Sequence, residues 1–335
     1  MLKSALMTLL LFASYPVTKL FAISEQDYQA LHAAKVVPFF NSRPDRYIIT
    51  SDKIELRYRM FLHPQPKASV IVLEGWTESI DKYDELTYDL YQQGLSVYLF
   101  DWRGQGRSQR LLADRQKSYI THYLQYVEDL ASIMDQVVKK SSVVKPIALA
   151  HSMGANVLSY YETLYPGQFG KIILSSPMLD IITAPAPEKL AFYLAKVMET
   201  FSLGEVYIPG HGHFTGKYRN IYTSSDTRFN KWIDYKKSHP QIVVSGATYS
   251  WLRASLEATW HMKERAGALA TPILMLQAGK DEVVEVEGQN IVCSKAQKCR
   301  KIVFDSSRHE ILNEKDSIRN QALQHILQFI TSPAS

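Results

Sequence analysis

Cysteine is nearly absent from this 335-residue chain. Its two residues, Cys293 and Cys299, are too few for a disulfide framework or a cysteine-rich zinc fold. Charge of one sign is equally scarce: 38 basic against 33 acidic residues leave a formal charge of +5 with no dense run. No basic stripe therefore exists to hold nucleic acid. Low-complexity tracts are missing, and 46% hydrophobic against 21% charged residues excludes a largely disordered chain. What remains is a composition able to bury one large core in a single domain with insertions.

The apolar stretch from Ala5 to Val17, preceded by Lys3, falls short of the roughly 20 residues a membrane span needs. Small residues such as Ala22 precede the polar run Ser24-Glu25-Gln26-Asp27. Residues 1–22 therefore read as a signal for export to the periplasm or medium, with an uncleaved membrane anchor and a buried helix as the other readings. Residues 23–46 are a lead-in. In an exported chain, Cys293 and Cys299 would close a small disulfide within a Lys-rich loop; in a reducing compartment they would be free thiols. The mildly basic surface leaves peripheral contact with anionic membranes open.

From Lys67 onward, apolar runs of strand length alternate with amphipathic segments, the pattern of a mostly parallel sheet flanked by helices. The runs Ser69–Leu73, Leu95–Phe100, Pro146–Ala150, Lys171–Ser175, Pro272–Gln277 and Lys301–Phe304 read as strands. Helices are expected over Tyr83–Gln93, Tyr119–Lys139, Ala155–Tyr165 and Ser317–Ile330. Tyr47–Ser51 and Ile54–Phe61 alternate more clearly and read as an antiparallel hairpin at the sheet edge. The domain thus spans 47–335. The alternation breaks over about 177–260, where Pro177, Pro185, Pro187, Pro209 and Pro240 punctuate an inserted helical cap. Within it, Lys189–Phe201 carries apolar residues over much of a helix; packing onto the domain is the plainer reading, an acyl-chain or membrane-contacting lid the sharper one.

Ala150-His151-Ser152-Met153-Gly154 lies between a strand and a helix, the setting of a nucleophile elbow, in which a serine occupies a strained turn with small neighbours. Ser152 is the candidate nucleophile. A serine hydroxyl needs an imidazole to take its proton and a carboxylate to orient that imidazole. Asp281 and His309 follow in the order Ser, Asp, His, each just beyond an apolar strand, where loops converge on one rim of a parallel sheet. Glu282 and Asp305 stand close enough in sequence to be alternative acids. The oxyanion needs two backbone donors: the N–H of Met153, directly after the serine, and that of Trp76 in Glu74-Gly75-Trp76-Thr77. His211 and His213 in Gly210-His211-Gly212-His213 lack a third ligand at metal spacing and read as a flexible cap loop. Asp101 to Ser108 lacks a P-loop's Lys-Ser/Thr ending and reads as a tight structural loop beside the site. No cofactor or metal is expected.

Several separated motifs carry a resemblance: Asp101-Trp102-Arg103-Gly104-Gln105-Gly106-Arg107-Ser108, His151-Ser152-Met153-Gly154, Ala247-Thr248-Tyr249-Ser250-Trp251-Leu252 and His309-Glu310-Ile311-Leu312-Asn313-Glu314. From about Ile54 onward the sequence resembles the monoacylglycerol lipase and bacterial lysophospholipase branch of the α/β-hydrolases. The resemblance implies the α/β-hydrolase fold, Ser152 as nucleophile, Asp281 as acid, His309 as base, and a cap over a channel for one acyl chain. The implied substrate is an ester of a single-chain lipid, cleaved through an acyl-enzyme; a broad carboxylesterase, a serine peptidase and a non-catalytic lipid binder are the alternatives. Glu74, where relatives often carry His, and Ala150, in place of the elbow's first glycine, depart from the pattern.

Overall fold

The computed structural model describes residues 22–217 and 219–333. The export signal expected over residues 1–22 lies almost entirely outside them. Eight strands build the central sheet: β1 (Arg46–Ile49), β2 (Glu55–Phe61), β3 (Ala68–Leu73), β4 (Leu95–Phe100), β5 (Ile147–His151), β6 (Lys171–Ser175), β7 (Ile273–Ala278) and β8 (Cys299–Phe304). Their order is β1-β2-β4-β3-β5-β6-β7-β8. The expected hairpin is there, β1 antiparallel to β2 at the edge. β2 meets β4 antiparallel, and every later pairing is parallel.

The inner strands β3 to β7 are buried along their whole length and largely apolar because both faces are covered. Ile71, Leu73, Tyr98, Phe100, Ala148, Ile172 and Met275 point into one core cluster, while their chain neighbours Val70, Val72, Val97, Leu99, Leu149, Ile173 and Leu276 point into the other. Alternation with period two thus divides one continuous run between two helical layers. The helices are α1 (Asp84–Gln92), α2 (Leu124–Ile133), α3 (Ser152–Leu164), α4 (Glu188–Thr200), α5 (Asp226–Ser238), α6 (Tyr249–Arg265), α7 (Val286–Lys295) and α8 (Asp316–Thr331).

The helix expected from Tyr119 starts at Leu124, because the preceding chain is extended: Lys117–Ser118 pairs in parallel with Gly246–Ala247. It then continues through a π-helical turn, Met134–Val138, to Ser141. The cap holds α4 and α5, and its expected end near residue 260 falls inside α6. That helix serves two layers. Trp251, Ala254, Ala258 and Met262 join the main core, while Leu252 and Leu256 pack against Phe192 of α4.

The lead-in is helical over 28–41 and stitches the cap to the body. His32 lies 2.9 Å from Asp84 at the start of α1, whose other carboxylate oxygen takes Lys231 of α5 at 2.6 Å. Arg228 of α5 donates to Glu85 at 3.0 Å and to the Ile23 carbonyl at 3.2 Å. Cys293, in the last turns of α7, and Cys299, the first residue of β8, are disulfide-bonded. Among the described residues no helix is long and apolar enough to cross a membrane.

Candidate active site

Ser152 opens α3 directly after β5, with φ +50°, a left-handed backbone that a non-glycine residue holds only under surrounding constraint. The constraint is close packing. A Cβ on Gly154 would sit 2.4 Å from the Glu74 carbonyl oxygen, so only glycine lets α3 start this near the end of β3. Ala150 is accommodated in the core, which explains how the elbow tolerates alanine there.

The elbow delivers the Ser152 hydroxyl to the His309 ring: Oγ and Nε2 are 3.0 Å apart. On the far side of that ring, Nδ1 lies 2.7 Å from Asp281 Oδ2, and Asp281 Oδ1 accepts from the amides of Val283 at 2.9 Å and Val284 at 3.1 Å. Burial pushes the Asp281 carboxyl up, but the charge and hydrogen bond of His309, with the two amides, outweigh it and hold the group below its ordinary value. Three residues from three loops are thereby joined. The alternative acids are elsewhere: Glu282 is exposed beside Arg219 at 3.8 Å, and Asp305 is exposed.

The loop after β3 carries Trp76, one of the two expected oxyanion donors. The Gly75 amide donates to Glu78 Oε2 at 2.7 Å, and the Thr77 amide to Gln105 Oε1 at 2.8 Å. Between them, the Trp76 amide pairs with no described acceptor. Met153 lies in the first turn of α3, where amides lack intrahelical partners. Gln105 also donates to Glu74 Oε1 and to the Gly75 carbonyl, each at 3.0 Å, so the tight loop read at Asp101–Ser108 is a brace for this one. In that brace a Cβ on Gly106, at φ +48°, would strike the Asp101 carboxylate.

A buried charge cluster lies behind. Lys82 Nζ is 2.6 Å from Glu78 and 2.6 Å from Glu310, and the Tyr83 hydroxyl donates to Glu78 at 2.5 Å. Burial raises Glu78, yet the charges of Lys82 and His151 and two hydrogen bonds bring it well below the carboxylate range. His151 next to the serine is driven the other way: burial lowers it to about 4, Glu78 opposing and His309 adding to the fall. It is neutral at physiological pH. Glu74, within the brace, is pushed well up by burial and by Asp101.

Above the serine is a cavity of about 710 Å³. Its walls are apolar at Met178, Ile181, Ile208, Trp251, Leu252 and Val284, and polar at Lys82, Lys236 and Glu310. Trp76 stacks on Trp251 with centroids 4.6 Å apart. His211 accepts from the Ala247 amide at 3.0 Å and His213 contacts Asp114 at 2.9 Å, so the two histidines are engaged separately. No metal-holding cluster occurs among the described residues.

The family model Hydrolase_4, described as serine aminopeptidase S33, matches residues 64–316. The chain belongs to this hydrolase family. It is 32% identical over 314 residues to the probable lysophospholipase L2 of Haemophilus influenzae, covering 92% of this chain and 98% of that relative. It is 31% identical over 318 residues to lysophospholipase L2 of Escherichia coli K12, covering 91% and 92%. The fold matches a soluble variant of the Saccharomyces cerevisiae monoglyceride lipase with a TM-score of 0.68 at 16% identity, over 86% of this chain and 95% of that one. The resemblance read from the motifs and the α/β-hydrolase architecture are thus both shown.

Within this hydrolase fold the sequence motifs missed the groups that lie behind the Ser152–His309–Asp281 series and the loop after β3. Glu78 and Lys82 had no motif of their own, and Gln105 stood in the Asp101–Ser108 motif without a role assigned to its side chain. A signal existed for one of them: Lys82 follows Glu78 by four residues, the spacing of a helical ion pair.

Proposed function

We propose that this chain is a serine hydrolase of single-acyl lipid esters, lysophospholipids or monoacylglycerols, with Ser152, His309 and Asp281 as its catalytic residues. The observation that carries the reading is the hydrogen-bonded series Ser152–His309–Asp281 at the floor of a half-apolar cavity. The names of the two lysophospholipase relatives support the substrate class.

The chemistry follows from the geometry. His309 Nε2 takes the Ser152 proton as Oγ attacks the ester carbonyl, and Asp281 holds Nδ1–H and stabilises the imidazolium. The amides of Met153 and Trp76 receive the oxyanion. Collapse expels the glycerol oxygen, which leaves with the proton from His309; water, deprotonated by the same ring, then releases the fatty acid and restores Ser152. The acyl chain lies along Met178, Ile208, Trp251 and Leu252.

An aminopeptidase reaction is less well supplied. Such a substrate needs a free carboxylate for its amine, but Glu78 and Glu310 are both engaged by Lys82, and Glu282 faces Arg219. Two finer readings accompany the enzymatic one. Export is supported by the apolar N-terminal stretch and the bonded cysteine pair, since disulfides persist in oxidising compartments. Contact with a lipid surface is supported by the exposed apolar side of α4 beside the cavity mouth.

The test is hydrolysis of lysophosphatidylethanolamine and monoolein by the wild type and Ser152→Ala, together with fluorophosphonate labelling. Loss of both activities and of the label is expected. Full activity in the mutant sinks the mechanism.

A further inference from the structure

Among the described residues the fold buries eight lysines and arginines, and seven have acceptors. Arg57 pairs with Asp81, Arg59 with Asp45, Lys82 with Glu78, Arg103 with Asp129, Arg228 with Glu85 and Arg319 with Asp89, while Lys171 donates to three carbonyls at the end of α8. The eighth is Lys236 of α5, only 6% exposed. Among the described residues neither a carboxylate nor any other acceptor pairs with its Nζ. Its neighbour is the Trp232 ring, 5.2 Å from Nζ to the centroid. Both side chains line the cavity that holds Ser152 and His309.

An ammonium on a largely buried side chain, without a protein partner and open only to the cavity, is costly. Burial, reinforced by Lys82, lowers Lys236 to about 8, which still leaves it protonated at neutral pH. A charge kept at such cost and facing a cavity fits an anion that arrives with the ligand. The electrostatic surroundings of Lys236 are Lys82, Glu78 and Glu310, and Glu310 follows His309, the residue that protonates the departing oxygen. Lys236 therefore stands toward the leaving group. The apolar wall is shared: the segments after β6 and β7 and the first turn of α6 supply most of it, and Phe229, Trp232 and Ile233 of α5 add to it beside Lys236.

We propose that Lys236 receives the phosphate of the leaving glycerophosphoryl group and so sets a preference for lysophospholipids over monoacylglycerols. This rests on the lipid-esterase reading above. A phosphate oxygen would give the ammonium a charge-assisted hydrogen bond. The neutral glycerol of a monoacylglycerol leaves it unpaired, and a site built around a polar partner discriminates against a ligand lacking it.

The test uses the purified full chain with 1-oleoyl lysophosphatidylethanolamine and 1-oleoylglycerol in the same detergent, for the wild type, Lys236→Met and Lys236→Arg. The ratio of kcat/KM for the phospholipid to that for the glyceride should fall about tenfold or more in Lys236→Met, mainly through KM, and recover in Lys236→Arg; loss of one hydrogen bond to a charged group is of that size. An unchanged ratio overturns the proposal. Equal decline on both substrates overturns it as well and makes Lys236 a structural residue. Should Lys236→Met fail to fold, the wild type still decides: glycerol 3-phosphate should compete with p-nitrophenyl butyrate hydrolysis, and glycerol at equal concentration should compete less. Absence of competition by glycerol 3-phosphate, or equal competition by glycerol, refutes it. A wild type that cleaves neither oleoyl ester defeats the esterase reading itself, a result distinct from an altered ratio.

Discussion

Lys82 and Glu310 are 2.6 Å apart, so the residue after His309 is fastened to the same ammonium that fastens Glu78 behind the oxyanion loop. One buried cation thereby ties two loops that must keep register for the reaction. It touches no reacting atom and acts by positioning. Lys82→Met should lower kcat about 10- to 100-fold with little change in KM, since a small misplacement of catalytic groups costs that much. It should also destabilise the fold by about 3–5 kcal/mol, because two carboxylates lose their buried partner. Stopped assays and urea unfolding read both. Unchanged kcat in a folded variant would show that the tie is only structural.

Asp281 and Glu282 are adjacent in sequence but opposite in expected effect. Asp281→Asn removes the acceptor that fixes the His309 tautomer and should reduce kcat about 10⁴-fold with the fold intact. Glu282→Gln touches only an exposed contact with Arg219 and should stay within about twofold, as exposed pairs contribute little. Equal effects of the two substitutions would remove Asp281 from its role.

That contrast marks how far the sequence could be read. Strand runs were legible because burial on both faces makes them continuously apolar, and Lys171–Ser175 and Leu95–Phe100 are seen with the expected bounds. The meeting of Ser152, His309 and Asp281 was legible because chain order and strand ends converge on one rim. The start of α2 was not, because the extended Lys117–Ser118 is held by a partner more than a hundred residues away, at Gly246–Ala247. Local propensity carries no trace of such a contact. Nor does any motif reveal that Glu78, Lys82 and Glu310 share one charge, since their meeting depends on the sheet that brings two loops together.

His151 should give the fold an acid limb. Its ring takes up a proton near 6.5 when unfolded and at about 4 when buried, so its stabilising contribution is full above about pH 6.5 and is lost as pH falls toward 4. The shift corresponds to about 3 kcal/mol. Asp281 and Glu78, both lowered in the fold, add their losses at more acid pH. Urea midpoints measured from pH 7 to 4 should fall for the wild type, and His151→Asn should flatten the slope between 6.5 and 4. A slope unaltered by the substitution would assign the acid limb to other groups.

The Cys293–Cys299 bond closes a short loop at the amino end of β8, whereas the His309 loop leaves that strand's carboxyl end. Stability and catalysis should therefore separate. For so small a loop the chain-entropy model gives about 2 kcal/mol. Cys293→Ser with Cys299→Ser should lose about that much in urea unfolding and keep kcat/KM for a soluble ester within about twofold. A large catalytic loss at a temperature where the variant is folded would contradict this separation.

The cap helix α4 divides its apolar residues between two environments. Phe192 and Ala195 are buried, Phe192 against Trp260 at 4.7 Å between centroids, whereas Leu190, Tyr193, Val197 and Phe201 are exposed, Phe201 by 71%. Packing onto the domain thus accounts for one side of the helix only. Leu194, at 46% exposure, also lines the cavity, which puts the bare side at the mouth through which a lipid would enter. If that side rests on a lipid surface, Val197→Ser with Phe201→Ser should leave the urea midpoint and the hydrolysis of p-nitrophenyl butyrate unchanged. Binding to phosphatidylglycerol vesicles, and turnover of lysophospholipid embedded in them, should fall about tenfold, since two apolar side chains would no longer leave water. Equal loss on the soluble ester would instead mean that these residues shape the cavity, and unaltered vesicle binding would mean that the exposed row meets no membrane.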